Sequence, residues 1–259
     1  MSSFLDSLTM FAVIFLCFIA GSLASTSDDG EQALRFPEKV STSNYIKLYP
    51  DMSKATTSLS VCTWMKKFLD PRTQHIWFSY AVSGRDNEVM LSDWYHHFIG
   101  NTNPMVWTDL ILLKNEWYHF CLTWSASTKM DFYVNGVLVK SHDISTSSIG
   151  TGGTLIIGQD QDSVGGGFAA NQAFGGDIYR LNVFSRKLRV EEIAAMYYDG
   201  RCSRLPSTLT HDVVVSWDMF LGATRSGTVQ EVSAGCNESN FLSKVTQLVL
   251  QEISTCNGH

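Results

Sequence analysis

Residues 117–124 read Trp-Tyr-His-Phe-Cys-Leu-Thr-Trp. In an extended chain successive side chains point to opposite faces. Tyr118, Phe120, Leu122 and Trp124 then share one face, and Trp117, His119, Cys121 and Thr123 the other. Neither face is polar, so the segment needs cover on both sides. That describes a central strand in a stack of two sheets. From Leu34 to Phe184 the pattern repeats in weaker form: NYIKLY (44–49), LSVCTWM (59–65), HIWFSY (75–80), TLIIG (154–158) and DIYRLNVF (177–184) are short apolar runs between turns. In MDFYVNGVLV (130–139), Asn135-Gly136 predicts the tight turn of a hairpin. One helix stands out, with Val190, Ile193, Ala194 and Tyr197 at helical spacing and Gly200 as its stop. VVVSWD (213–218) reads as a late strand, and NFLSKVTQLVLQEIS (240–254) as a second, amphipathic helix. The expectation is an all-β chain, a two-sheet antiparallel sandwich with one α-helix and a C-terminal helical tail.

The apolar run Met10–Ala20 is too short for a bilayer, which takes about 20 residues. Ser22-Leu23-Ala24 after it fits a signal-peptidase site, so 1–24 is read as a signal peptide; an uncleaved anchor is the alternative. Residues 25–33 read as a flexible start, 34–236 as the folded domain and 237–259 as the tail. The expectation is a secreted protein with no transmembrane segment. Of six cysteines, Cys17 leaves with the signal; the remaining five suit two bridges and one thiol for another chain. Asn237-Glu238-Ser239 is a glycosylation sequon. A net charge of −6 without a basic run argues against nucleic acid or anionic membrane as partners. His75, His96, His97, His119 and His142 have no metalloenzyme spacing, and no nucleophile elbow or acid/base pair is visible.

His119-Phe120-Cys121-Leu122-Thr123-Trp124-Ser125 resembles the pentraxin signature in full, and Cys62 in Ser60-Val61-Cys62-Thr63-Trp64 matches the partner cysteine of that family. The resemblance covers about 30–235. It implies a flattened jelly roll related to legume lectins and laminin-G domains, with a Cys62–Cys121 bridge and ring oligomers, pentameric in the family. Cys202 and Cys236, flanking the late strand, are then the expected second bridge, leaving Cys256 to pair between chains.

Two stretches carry the function of that family. Asp86-Asn87 offers side-chain oxygens from one loop. Asp160-Gln161-Asp162 offers two carboxylates and a carbonyl from a second loop, where glycines 165–167 allow tight folding. Calcium takes 6–8 such hard oxygens. The resemblance places a first Ca2+ on these five residues, with Asp160 standing where the family has Glu, and a second on Asp160, Asp162 and Gln172. At that second site Ala169 replaces an acid that some members use. Taken alone, these acids also suit turn capping. In the family's phosphocholine binders two apolar side chains beyond the Asp-Asn pair hold the methyl groups. The matching positions are Met90 and Ser92, and Ser92 removes one wall; Trp94, Tyr95 and Trp107 are nearby aromatics. The function implied is a calcium-dependent recognition lectin for phosphorylated or carbohydrate ligands on cell or microbial surfaces, with no enzyme activity. The alternatives are a laminin-G-like adhesion or interaction module, which would bind a protein partner with structural calcium or none, and a glycosidase, which would turn over polysaccharide.

Overall fold

The computed structural model describes residues 31–70, 75–92, 97–100, 112–126 and 128–236. The signal segment, the tail 237–259 with Asn237 and Cys256, and Trp94, Tyr95 and Trp107 lie outside them. Residues Gln32–Ala234 form one compact unit, described here. Its strands are β1 (Gln32–Phe36), β2 (Tyr45–Leu48), β3 (Ser58–Lys67), β4 (Ile76–Val82), β5 (Arg85–Ser92), β6 (His97–Ile99), β7 (Trp117–Ser125), β8 (Lys129–Val134), β9 (Val137–Asp143), β10 (Thr154–Ile157), β11 (Gly176–Phe184), β12 (Val213–Val215), β13 (Arg225–Ser226) and β14 (Gln230–Ser233). Among the described residues they make two antiparallel sheets. One runs β14-β1-β11-β3-β7-β8-β9, with β12 beside β11; the other runs β13-β2-β10-β4-β5-β6. The protein is an all-β sandwich.

β7 lies between β3 and β8, in the body of the first sheet. Its inner face carries Phe120, Leu122 and Trp124, all buried. Phe120 meets Trp77 of β4 edge-on, 5.6 Å between ring centres, so the two sheets touch through aromatic rings. The outer face carries His119 and Cys121. Cys121 is directly opposite Cys62 in register and bonded to it. Cys202 is in a disulfide as well, and so is Cys236. Helix α1 (Val190–Tyr198) covers this outer face. Ile193, Leu188, Leu209, Phe184 and Tyr133 close over the Cys62–Cys121 bridge in a second apolar core. Glu192 ties down the start of α1, accepting the Arg189 N–H at 2.9 Å and both arms of the Arg186 fork at 2.7 and 2.9 Å. The β8–β9 turn is the expected one, with Asn135 and Gly136 both left-handed (φ 51° and 77°).

Three expectations need correction. Gln32 and Ala33, read as part of a flexible start, belong to β1 and pair with Ser233 and Val232. The run 213–218 is a strand only as far as Val215. Ser216 is extended, and Trp217–Gly222 form a second short helix, α2, because Trp217 and Phe220 bury on one helical face. Asp86 and Asn87 stand on a strand, not in a loop. The chain reverses at Ser83-Gly84, with Gly84 at φ 75°, and β5 has begun by Arg85.

Candidate metal and ligand site

β5 begins irregularly. Arg85 pairs with Val82 and Val89 with Tyr80, so three residues, Asp86, Asn87 and Glu88, face the single Ala81. Such a bulge takes side chains out of strict alternation and leaves Asp86 and Asn87 half exposed. Asp86 Oδ1 accepts the Asn87 N–H at 3.1 Å. Asn87 Oδ1 is buried and has no hydrogen-bond partner. Glu88 turns inward and is fully buried. Its carboxylate accepts the Gly150 N–H and lies 3.2 Å from the Arg85 guanidinium. Burial raises the Glu88 pKa above the ordinary carboxylate value. The reading of the sequence gave Glu88 no role; in the structure it ties the 144–153 segment to the strand bearing Asp86 and Asn87.

The second half of the site is the connection after β10. Gln161 is its pin. The Gln161 Nε2 donates to the main-chain oxygens of Ser79 (2.6 Å) and Thr154 (3.1 Å), and Oε1 accepts the Gly165 N–H at 2.7 Å. The Gln161 side chain is therefore engaged by the fold, and its main-chain carbonyl is the other oxygen this residue can offer an ion. The tip closes on itself between Ser163 and Gly166 (2.9 and 3.3 Å), and Lys47 Nζ holds the Gly165 carbonyl at 2.9 Å. Gln159 Nε2 anchors the start of the connection to the carbonyls of Ser41 and Asn44, both at 2.8 Å.

These pins hold Asp160 in a buried position and Asp162 in an exposed one. Asp160 is 4% exposed. The Gln172 amide, on a short 3-10 turn (Ala170–Gln172), donates to Asp160 Oδ2 at 2.8 Å. Asp160 Oδ1 is buried without a partner. Burial first, then the negative charge of Asp162 and more weakly that of Asp86, pushes the Asp160 carboxyl up to about 6, against the pull of the Gln161 N–H and the Gln172 amide. Asp160, Asp162 and Asp86 thus lie within electrostatic reach of one another. Among the described residues no ion pair neutralises them.

The arrangement fits a hard cation. Two buried oxygens from separate parts of the chain, Asn87 Oδ1 and Asp160 Oδ1, lack partners, and such groups are costly unless something satisfies them. Three uncompensated carboxylates supply the charge. Among the described residues no three Asp, Glu, His or Cys side chains form a metal cluster by themselves. Amide and main-chain oxygens must complete the shell, as suits calcium rather than zinc.

Met90 and Ser92, which the resemblance matches to the family's methyl-binding positions, open no apolar pocket among the described residues. Met90 is 2% exposed and Ser92 fully buried. The Ser92 carbonyl accepts the Trp77 indole N–H at 3.0 Å. Both residues serve the sandwich, since β5 runs from the rim into the body of its sheet.

Comparison with known proteins agrees with this architecture. Residues 32–223 match the family model described as the Pentaxin family. Neuronal pentraxin-2 of Mus musculus is 30% identical over 210 residues, covering 76% of this chain and 48% of that protein. Mucosal pentraxin of Rattus norvegicus is 30% identical over 185 residues, covering 69% of this chain and 82% of that protein. The chain spans about half the length of the neuronal relatives it matches. The native heptameric SAP-like pentraxin of Limulus polyphemus superposes with a TM-score of 0.66 at 23% identity, covering 82% of this chain and all of that one. Among the described residues no helix is long and apolar enough to cross a membrane. With two antiparallel sheets, a cystine under the α1 helix and a family match running from β1 into the residues after α2, the chain belongs to the pentaxin family, the pentraxins.

Proposed function

We propose that this pentraxin is a secreted lectin that recognises phosphorylated or carbohydrate ligands through bound calcium. The observation that carries the reading is the pair of unsatisfied buried oxygens, Asn87 Oδ1 and Asp160 Oδ1, beside the uncompensated carboxylates of Asp86 and Asp162. Calcium would be held by Asp86, Asn87, Asp160, Asp162 and the Gln161 carbonyl. A second ion would share Asp160 and Asp162 with Gln172, and Ala169 has no side-chain oxygen to add. Calcium bound this way supplies a Lewis-acidic surface on which phosphate, carboxylate or sugar oxygens replace water. The chain's own part is to concentrate negative charge on a pinned connection and to hold Asp86 and Asn87 opposite it. Ligand binding, not catalysis, is the chemistry such a site offers. One shallow site binds modestly, so a closed homo-oligomeric ring, built through a heterologous interface, would supply avidity. Secretion follows from reading 1–24 as a signal peptide.

Equilibrium calcium binding combined with capture on immobilised phosphocholine and phosphoethanolamine tests the proposal. Capture in calcium and release by EDTA are expected. Phosphoryl binding that persists in EDTA would overturn the calcium-dependent reading, and no phosphoryl capture in calcium would favour a laminin-G-like module that binds a protein partner.

A further inference from the structure

The connection after β10 is packed against the second sheet, β13-β2-β10-β4-β5-β6. Ile156 of β10 stands opposite Lys47 of β2 and Ser79 of β4 in register, so the three share one face of that sheet. Ile46 and Ile157, on the other face, are buried in the core. Ile156 and Ser79 are fully buried as well, because the chain after β10 folds back over them. Gln161 Nε2 marks the contact by donating to the main-chain oxygens of Ser79 and Thr154.

β2 grips this folded-back chain from the other side. Tyr45 and Lys47 are two residues apart on the strand, so both side chains stand on its outer face. The Tyr45 ring meets that of Phe168 at 5.0 Å between centres. Lys47 Nζ lies 5.7 Å from the centre of the Tyr45 ring and donates to the Gly165 carbonyl at 2.9 Å. Gly165 is thereby held twice, since its own N–H donates to Gln161 Oε1 at 2.7 Å. Gly165 belongs to the turn that Ser163 and Gly166 close, and that turn begins at the residue after Asp162. Among the described residues no carboxylate lies within ion-pair distance of Lys47. Its ammonium serves a main-chain carbonyl and an aromatic ring instead.

We propose that Lys47 is a positioning residue for the metal site: it sets the affinity for calcium by holding the connection in the shape that keeps Asp160 and Asp162 beside Asp86 and Asn87. The inference rests on the calcium reading above. After burial, the charges of Asp162 and Asp86 are what raise the Asp160 pKa, so the three acids resist being held together. Lys47 is not among the charges that bear on Asp160. Its effect is therefore exerted through the Gly165 carbonyl, and its charge does little to repel a cation at the acids. A hydrogen bond from a charged donor is among the stronger single braces available to a loop. A ligand set that is assembled only part of the time binds with an apparent Kd raised by the inverse of that fraction.

The test is calcium titration calorimetry of the full chain, well below Tm, on the parent, Lys47→Met and Lys47→Arg. Met keeps the apolar stem and loses the donor, and the Kd for calcium should rise at least about five-fold, as for a ligand set assembled one-fifth of the time. Arg keeps a cationic donor, and the Kd should return to within about two-fold of the parent. Phe168→Leu removes the ring contact with Tyr45, should raise the Kd at least about two-fold, and serves if Lys47→Met misfolds. Hydrogen exchange in EDTA supplies a readout that needs no metal. The amides of 161–168 should exchange faster in Lys47→Met, while those of β4 and β10 keep the parent's rates. A parent that binds no calcium would sink the calcium reading and this assignment with it. A parent that binds calcium, with an unaltered Kd in Lys47→Met, would overturn the assignment alone. Faster exchange spread through β4 and β10 would make Lys47 a residue of general stability and overturn it too.

Discussion

Gly167 lies against Asp162: a β-carbon on Gly167 would stand 2.9 Å from the Asp162 Cβ and 3.0 Å from its carbonyl carbon. Gly167 is also left-handed, φ 76°. Gly167→Ala therefore strains the backbone, at a cost of about 1–3 kcal/mol, and displaces a proposed calcium ligand as well. Gly152→Ala is the control, since Gly152 has φ 70° but nothing within 4 Å of its notional β-carbon. Both variants should melt lower in EDTA, and only Gly167→Ala should lose most of the calcium-induced rise in Tm. Equal calcium shifts in the two would separate Asp162 from the ion.

Asp160→Ala with Asp162→Ala removes the carboxylates that both proposed ions share. An ion present at a hundred times its Kd stabilises by about 2.7 kcal/mol. Scanning calorimetry of the double variant should show no calcium-dependent shift. A shift equal to that of the parent protein would refute the ligand assignment.

Asp160 also gives the site a pH dependence. Its ordinary value of 3.8 is raised to about 6 in the folded protein, chiefly by burial. In EDTA this favours the protonated folded form. The stability it contributes is full below about pH 4 and lost as pH rises through about 6. Calcium needs the ionised carboxylate, so its contribution runs the other way. Apparent calcium affinity should fall about five-fold between pH 6 and pH 5 on account of this one group. Tm profiles from pH 4 to 8, with calcium and with EDTA, should converge toward the acid end. A calcium shift of the same size at pH 5 and pH 7 would contradict the assignment of Asp160.

Much of the fold was legible because two-sided burial leaves a mark: β7 and the Asn135-Gly136 turn stand as the residue pattern implied. Asp86 and Asn87 were misplaced because Arg-Asp-Asn-Glu has the composition of a turn, while the turn itself is made by Ser83-Gly84 and the bulge opposite Ala81 lets polar residues begin a strand. The bulge at Arg180, where the register of β11 on β3 shifts and the backbone is left-handed (φ 52°), leaves no mark in the sequence, since nothing in DIYRLNVF marks Arg180 as the extra residue. Met90 was read as a candidate pocket wall because a family position carries no information about depth. The pinning role of Gln161 was hidden in the same way, since its side-chain partners on Ser79, Thr154 and Gly165 leave no trace in the sequence.

The Cys62–Cys121 bridge joins residues 59 apart in sequence. On a chain-entropy account a loop of that length is worth about 4 kcal/mol, or roughly 10 °C in Tm for a domain of this size. Cys62→Ala with Cys121→Ala should lose about that much. The bridge lies in the first sheet, while the proposed calcium ligands belong to β5 and the connection after β10. The calcium-induced shift should therefore survive in the weakened protein. Loss of the calcium shift at temperatures where the variant is folded would mean that the two sheets are coupled through the core.

Met90 separates the two views of the ligand surface. It is 2% exposed and stands across from Ser79 on β4 and Phe98 on β6. As a buried methionine, Met90→Ala should cost about 2–5 kcal/mol. As a residue that reaches no surface, it should leave phosphocholine affinity within about two-fold of the parent, measured well below the lowered Tm. An apolar or aromatic wall for the choline methyls is worth roughly 0.5–2 kcal/mol. Without one from Met90 and Ser92, phosphocholine and phosphoethanolamine should compete for the immobilised ligand within about ten-fold of each other. Competition curves on the parent and on Met90→Ala decide both points. A hundred-fold preference for choline that collapses in Met90→Ala would show that this side chain reaches the ligand after all.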